Sequence, residues 1–218
     1  MVRWLLLFIA IAAAAWWLAT PASPPGGANP SSPTSTAVTH TASDCRPPPR
    51  LAGADGAVQS DAPGDMSPFA LANATAKPLA GFSVAARVLS RKEYGSDREA
   101  DFAPIDLALG WGRMREDAVL SQLDISQGGR WYRYRWSAQP PLPPDEIARS
   151  SANMHMIPAS PSVAAALADV EEGDAVRIDG WLVQVNASDG WRWRSSLTRE
   201  DTGGGACEVV YVCAVTRR

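Results

Sequence analysis

The sequence predicts a mainly β fold, and its C-terminal part carries that prediction. Between Gly173 and Val215, apolar and polar side chains alternate with the two-residue period of a half-buried strand. Turn residues from Asn186 to Gly190 divide this stretch, and the alternation resumes from Trp191 to Leu197, which is the pattern of a hairpin. After a second reversal at Gly203–Gly205, the run Cys207–Val215 is apolar at nearly every position and predicts a central strand.

Further strands and a second hairpin are predicted ahead of that stretch. Phe102–Trp111 predicts an extended segment, and Glu116–Leu123 predicts a helical turn. The alternating runs Leu123–Ser126 and Trp131–Trp136 flank a glycine pair and predict the clearest hairpin of the chain. A first strand is predicted over Gly81–Leu89, with an inner face formed by Phe82, Val84 and Val88.

One capped helix is predicted between Ser160 and Gly173. The Ser160 hydroxyl can cap the first turn, and Pro161 suits the first helical position. Val163, Leu167 and Val170 then share one face of the helix. The order of strands, a single helix and two more strands is that of an OB-like, partly open β-barrel, which we place at residues 79–218.

A transmembrane anchor is predicted for residues 1–20. Arg3 precedes a run from Trp4 to Ala19 that carries no charge and approaches the roughly 20 residues of a spanning helix. A cleaved signal peptide is the alternative, although Pro21 is awkward beside the small residues of a cleavage site. We expect an uncleaved, single-pass anchor with Arg3 in the cytoplasm and the rest of the chain exported.

Residues 21–78 are predicted to be a disordered linker. The stretch is rich in proline, serine, threonine, alanine and glycine, and Phe69 is its first large aromatic side chain. Such a composition buries too little apolar surface to offset the entropy of ordering. We therefore expect folding to begin near Leu79 and the residues before Pro78 to be dispensable for it.

The charge balance argues against nucleic acid as a partner. The 218 residues include 20 basic and 23 acidic side chains, for a formal net charge of −3. The net charge therefore creates no long-range electrostatic attraction for phosphate groups or anionic lipids. Glycine-rich phosphate loops and nucleophile-elbow motifs are absent from the sequence, and no cofactor is predicted.

Three sequence blocks support a resemblance. The blocks SSANMHMIPA, GWRWRSSLTREDTG and GACEVVYV are similar to those of uncharacterised exported, membrane-tethered bacterial envelope proteins. The resemblance implies a location in the bacterial inner membrane with the C-terminal domain in the periplasm. It implies no catalytic residue.

The three cysteines predict neither a zinc site nor a bond within the last strand. Cys207 and Cys213 share a parity, and a strand of that length separates them by about 20 Å, beyond the roughly 7 Å Cα limit of a disulfide. We expect one or the other to be a small core residue, with a bond from Cys45 to one of them as the alternative.

His155 is the one histidine of the predicted domain and limits any catalytic reading. A hydrolase would have to use it with a serine such as Ser151, Ser195 or Ser196. A soft-metal site with Met154 and Met156 conflicts with strand geometry, because the two methionines would point away from the histidine. We predict no catalytic residue and no metal site.

Two strands in which arginines alternate with tryptophans form the candidate ligand-binding patch. Their exposed rings and guanidinium groups suit stacking on bases or sugars, although a structural cation–π ladder is the alternative. We predict a non-catalytic binding module for an envelope protein or a small envelope ligand, with single-stranded nucleic acid or glycan binding as the rival function. The candidate residues are Trp131, Arg133, Arg135, His155, Trp191, Arg192, Trp193 and Arg194.

Overall fold

The computed structural model describes residues 38–41, 45–46, 48, 56–199 and 206–217. All of them belong to the unit that runs from Thr36 to Arg218. The predicted anchor at residues 1–20, much of the predicted linker and the Gly203–Gly205 reversal lie outside the described residues. Within the part that is described, no helix is long and apolar enough to cross a membrane.

The predicted mainly β class is confirmed. The described helices are α1 (Asp117–Leu120), α2 (Pro144–Arg149) and α3 (Pro161–Ala168), with 3₁₀ turns at Arg98–Asp101 and Gly112–Arg115. The described strands are β1 (Val38–Thr41), β2 (Gly56–Asp61), β3 (Phe69–Leu71), β4 (Ala74–Glu93), β5 (Ile105–Gly110), β6 (Asp124–Gly128), β7 (Trp131–Arg135), β8 (Ser151–Pro158), β9 (Ala175–Ala187), β10 (Arg192–Arg194) and β11 (Glu208–Arg217).

Five of these strands pair in a cycle. β4 pairs with β5, β5 with β8, β8 with β11, β11 with β9, and β9 returns to β4. All of these pairings are antiparallel except the one between β8 and β11. β11 is buried along nearly its whole length, as predicted for a central strand.

The long strand β4 joins the parts of the sheet. Its first half pairs with β9 on one side and with β2 and β3 on the other, and its second half pairs with β5. The residues predicted for its inner face all lie in the large hydrophobic core, with exposures of 1% for Phe82, Val84 and Val88. Their partners there include Ile178 and Leu182 of β9.

A segment between β5 and β8 builds a second, smaller core. The predicted hairpin is present as β6 and β7, joined by a two-residue turn in which Gly129 and Arg130 both have positive φ. That is the backbone of a type I′ turn, whose twist matches the strands that it joins. The inner face of the hairpin packs on Met114, Val119 and Ile147, which belong to the helical turns around it.

The capped helix is confirmed as α3, although it ends at Ala168, before the predicted end at Gly173. The Ser160 hydroxyl accepts a hydrogen bond from the backbone N–H of Val163, and Pro161 occupies the first turn. Val163 and Leu167 are buried on one face of the helix as predicted, and Val170 is buried just beyond its end. Helix α2 was not predicted, although Pro144 at its start, followed by acidic residues, is a typical first-turn pattern.

The predicted linker needs a correction at its C-terminal end. Strands β2 and β3 and the first residues of β4 precede Leu79 and belong to the sheet. Few of their side chains are large and apolar, so their place is set by backbone pairing, such as that of Gln59 with Phe82, and by stacking of Phe69 on Tyr211. Contacts this distant in sequence leave no local periodic pattern.

The cysteines resolve an alternative that the sequence leaves open. Cys45 forms a disulfide with Cys213, and Cys207 is the free cysteine. The expectation that Cys207 and Cys213 do not pair with each other is confirmed. Their shared parity is interrupted, because the pairing of β11 with β9 shifts register between Val212 and Ala214.

Candidate functional site

The outward face of β7 carries the first part of the predicted patch. Trp131, Arg133 and Arg135 are exposed and alternate with the half-buried Tyr132 and Tyr134, as the sequence predicts. Trp131 is 39% exposed, and the only other exposed large hydrophobic side chain in the described part of the chain is Leu197, at 40%. An exposed indole is an informative departure from ordinary burial.

The second part of the patch, on β10, is packed more tightly. Arg192 and Arg194 are exposed, whereas the Trp191 and Trp193 side chains are half-buried. The two indole rings lie 5.9 Å apart, and Arg98 of the first 3₁₀ turn lies 4.7 Å over the Trp191 ring. A cation–π contact is therefore present at Trp191, but its arginine comes from outside the strand.

His155 lies beneath this aromatic cluster and is 3% exposed. Its ring centroid is 4.8 Å from that of Trp193. Its Nδ1 atom lies 2.9 Å from Oδ1 of Asp106, a close approach without hydrogen-bond alignment. Met154 and Met156 point into the hydrophobic core instead, so the strand separates them from the histidine as predicted. Among the described residues, no group of histidine, cysteine and carboxylate side chains is arranged to hold a metal ion.

Arg130, at the hairpin turn, connects the two parts of the patch. Its guanidinium donates to Asp106 at 2.7 Å and to Asp97 at 2.9 and 2.5 Å, and it lies 3.8 Å over the Tyr94 ring. Asp106 is fully buried. Burial alone would lower the pKa of Arg130, but the hydrogen bonds and charges of the two aspartates outweigh it and raise that pKa. The hydrogen bond from Arg130 in turn lowers the pKa of Asp97.

The sequence analysis missed Arg130 because the glycine pair before it predicts an ordinary hairpin turn at this position. Its backbone N–H donates to the Tyr94 hydroxyl at 3.0 Å, and its left-handed φ of 67° aims the side chain towards Asp106. A non-glycine residue at positive φ is uncommon and usually needs such tertiary contacts. The sequence signal that could have pointed to it is Asp106, the one charged residue in the otherwise apolar strand β5.

A cleft of about 170 Å³ opens beside Trp131, between the hairpin and the segment that follows β10. We name it the hairpin cleft. Two tyrosines and the tryptophan of β7 form one wall, the start of β8 forms the floor, and the residues around Cys207 form the opposite wall. Its lining residues are Trp131, Tyr132, Tyr134, Ala148, Ser151, Ala152, Asn153, Arg199, Ala206 and Cys207.

The polar groups on the floor of the hairpin cleft are already engaged. Asn153 accepts a hydrogen bond from Gln127 at 2.6 Å and donates to Asp106 and to the carbonyl oxygen of Arg130. The Tyr132 hydroxyl lies 3.4 Å from Oγ of Ser151, to which it donates, and burial raises the pKa of that tyrosine. These contacts hold the floor in place. The wall formed by β7 is aromatic, whereas the opposite wall consists of Arg199, Ala206 and Cys207.

Cys207 is a poor nucleophile in this setting. Burial, with the nearby negative charge of Glu208, raises the pKa of its thiol to about 11. The thiolate is the reactive form of cysteine, so it is scarce at neutral pH. The residue serves as an apolar part of the cleft wall.

The structure therefore divides the predicted patch in two. Trp131 lines the hairpin cleft, with Arg133 and Arg135 on the same face of β7, whereas Trp191, Trp193 and His155 form a separate packed cluster. Comparisons with protein-family models, with curated proteins and with solved structures find no match. The functional argument therefore comes from geometry and chemistry alone.

Proposed function

We propose that this protein is a non-catalytic binding module of the bacterial cell envelope, tethered to the inner membrane, and that it takes its ligand at the hairpin cleft. The observation that carries the proposal is Trp131. It is an exposed indole on the rim of an aromatic cleft whose floor is held by a buried hydrogen-bond network. Interface hot spots commonly consist of such aromatic side chains.

We further propose that the domain is OB-like. The support is the order in which the strands pair. We number β4, β5, β8, β9 and β11 as the first to the fifth strand of the barrel. The first strand then pairs with the second and the fourth, and the fifth pairs with the third and the fourth. Helix α3 lies between the third and the fourth strand. In OB folds, the face of the second and third strands is the usual ligand surface.

That usual surface is occupied here by side chains of the protein itself. Arg130 is bonded to Asp106 of the second strand, and Trp193 packs on His155 of the third. Bases or sugars could stack there only after these contacts were displaced, which favours the hairpin cleft as the binding site. The nucleic-acid alternative retains the exposed Arg192 and Arg194, and it would be supported by binding that weakens steeply with salt.

The hydrolase alternative gains no support from the contacts of His155. The described contacts of its ring are with Asp106 and Trp193. The candidate serines donate to backbone carbonyl groups instead: Ser151 to Ile147, Ser195 to Ser196, and Ser196 to Thr198.

The disulfide supports an exported domain. Cys45 and Cys213 are both buried, and structural disulfides persist in oxidising compartments such as the periplasm. Periplasmic reporters fused after Arg217 should be active and cytoplasmic reporters silent. Carbonate extraction tests the anchor separately, because a cleaved signal peptide would leave a soluble product.

The binding role is tested by photo-crosslinking in the cell. Benzoylphenylalanine in place of Trp131, in the full chain, should give a discrete adduct whose mass identifies the class of ligand. The matched control is the same substitution at Leu197, which is equally exposed and lies outside the hairpin cleft. Equal adducts at both positions, or none at position 131, would contradict the proposal.

A further inference from the structure

The chemistry of the hairpin cleft narrows the class of its ligand. Asn153 already makes three hydrogen bonds of the four that its amide can make. The Ser151 hydroxyl donates to the Ile147 carbonyl and accepts from Tyr132. A sugar ring needs several hydrogen-bond partners, and this floor has few to offer. An apolar ring needs none, so the floor favours an aromatic group over a carbohydrate.

The size of the cleft points to a single ring. An apolar cavity of about 150 Å³ accommodates one benzene molecule, and the hairpin cleft measures about 170 Å³. Drug-sized ligands occupy pockets of roughly 300–1,000 Å³. The cleft is therefore the right size for one large side chain of a partner, which would contact the rings of Trp131 and Tyr134 that line it.

The outward face of β7, next to the cleft, supplies positive charge. Arg133 follows Trp131 on the exposed face of β7, and its hydrogen bond is a long one of 3.5 Å to the carbonyl oxygen of Gly128. Among the described residues it has no carboxylate partner, in contrast to Arg135, which pairs with Asp124. A guanidinium without a carboxylate partner in its own chain can form an ion pair with a carboxylate of a ligand.

We propose that the hairpin cleft binds a phenylalanine or tryptophan side chain from a peptide segment of a partner protein, with acidic residues of that segment paired to Arg133. This inference rests on the proposed function, since it names the occupant of the same cleft. The ring provides the buried anchor of the contact, and the carboxylates fix its orientation and favour acidic segments over basic ones.

Unlabelled peptides and the full chain in detergent test the proposal. The first peptide has a phenylalanine between two pairs of glutamates, with both ends blocked, and saturation-transfer NMR is the readout. We expect saturation on the phenylalanine ring protons, and about tenfold weaker binding when alanine replaces the phenylalanine. Arg133→Glu should weaken the glutamate peptide about tenfold and strengthen the version with lysines in place of glutamates.

The matched control is Arg192→Glu, which makes the same charge change on the exposed side of β10 and should leave binding unchanged. Equal effects of the two charge reversals, or undiminished binding of the alanine peptide, would overturn the inference. Tri-N-acetylglucosamine is the carbohydrate probe. If it binds in a Trp131-dependent manner and the peptides do not bind, the proposed cleft stands and the peptide assignment is wrong. If no probe binds and position 131 gives no adduct, both proposals are wrong.

Discussion

Cys45 and Cys213, 168 positions apart in the sequence, have Cα atoms 5.2 Å apart and form a disulfide. The residue after Cys45 is held as well, because Nε1 of Trp181 donates to the carbonyl oxygen of Arg46 at 2.9 Å. Pro48 is also buried. A short segment that composition assigns to a linker is thus part of the folded domain.

Breaking this disulfide should destabilise the domain strongly. Cys45→Ser removes a covalent closure of a long loop, and loss of such a native disulfide typically costs about 2–5 kcal/mol. Urea unfolding of the oxidised proteins gives the comparison, with Cys207→Ser as the control, because Cys207 is free. Thiol titration of the protein with its native sequence, denatured without a reducing agent, should find one reactive thiol, that of Cys207. Equal unfolding midpoints for Cys45→Ser and the control would contradict the structural role.

Sequence patterns predicted those elements whose cause is local. The alternation in β9 and β10, the glycine turn of the β6–β7 hairpin and the Ser160 cap each act within a few residues. Strands β2 and β3 were not predicted because their place in the sheet depends on pairing with β4, and their own side chains show little apolar periodicity. The same reason explains why composition placed the start of the domain too late.

Removing the segment before Lys77 should therefore impair folding. Such a truncation deletes β2 and β3 and the disulfide, and it removes the Phe69 ring, whose centroid lies 4.2 Å from that of Tyr211. A chain that starts at Lys77 should melt well below one that starts at Pro21, or fail to melt cooperatively. Phe69→Ala in the longer chain isolates the stacking contribution, and the exposed Ala70→Ser is its control. Superimposable melts of the long and the truncated chains would restore the sequence-based boundary.

The buried ion pair of Arg130 and Asp106 gives a third prediction. Arg130→Met leaves the fully buried carboxylate of Asp106 without its main partner, and breaking such a pair typically costs about 3–5 kcal/mol. Adding Asp106→Asn should recover part of that loss, because a neutral amide is easier to bury than an unpaired charge. The exposed pair of Arg135 and Asp124 is the control, and Arg135→Met should cost about 1 kcal/mol or less. Chemical unfolding of the variants measures each difference.

Half of the candidate site was visible in the sequence. Alternation placed Trp131 and Arg133 on one exposed face of β7, and this is a property of neighbouring residues. The opposite wall of the hairpin cleft comes from residues around Cys207, more than 70 positions away, and its approach depends on the whole sheet. The inward turn of Arg130 depends on Asp97 and Asp106, which no pattern within the hairpin reveals.

The thiol of Cys207 should react slowly and with a shifted pH dependence. Burial raises its pKa from the ordinary 9.0 to about 11, and only the thiolate is nucleophilic. The rate of alkylation by iodoacetamide in the native protein should rise about tenfold per pH unit from about pH 7 to about pH 10. In urea the same thiol should react faster and its rate should level off near its ordinary pKa. A native profile that levels off there as well would place the thiol in open solvent.

The last prediction separates packing from binding at β10. Trp193 is half-buried against His155, with ring centroids 4.8 Å apart, whereas Arg192 is exposed. Trp193→Ala should destabilise the domain by about 2–4 kcal/mol, somewhat below the cost of deleting a fully buried aromatic. Arg192→Ala should change stability by about 1 kcal/mol or less. Thermal melts distinguish a packing role of Trp193 from a ligand-binding role. If β10 bound a ligand through Trp193, the Trp193→Ala protein would melt like the native protein but would no longer bind the ligand.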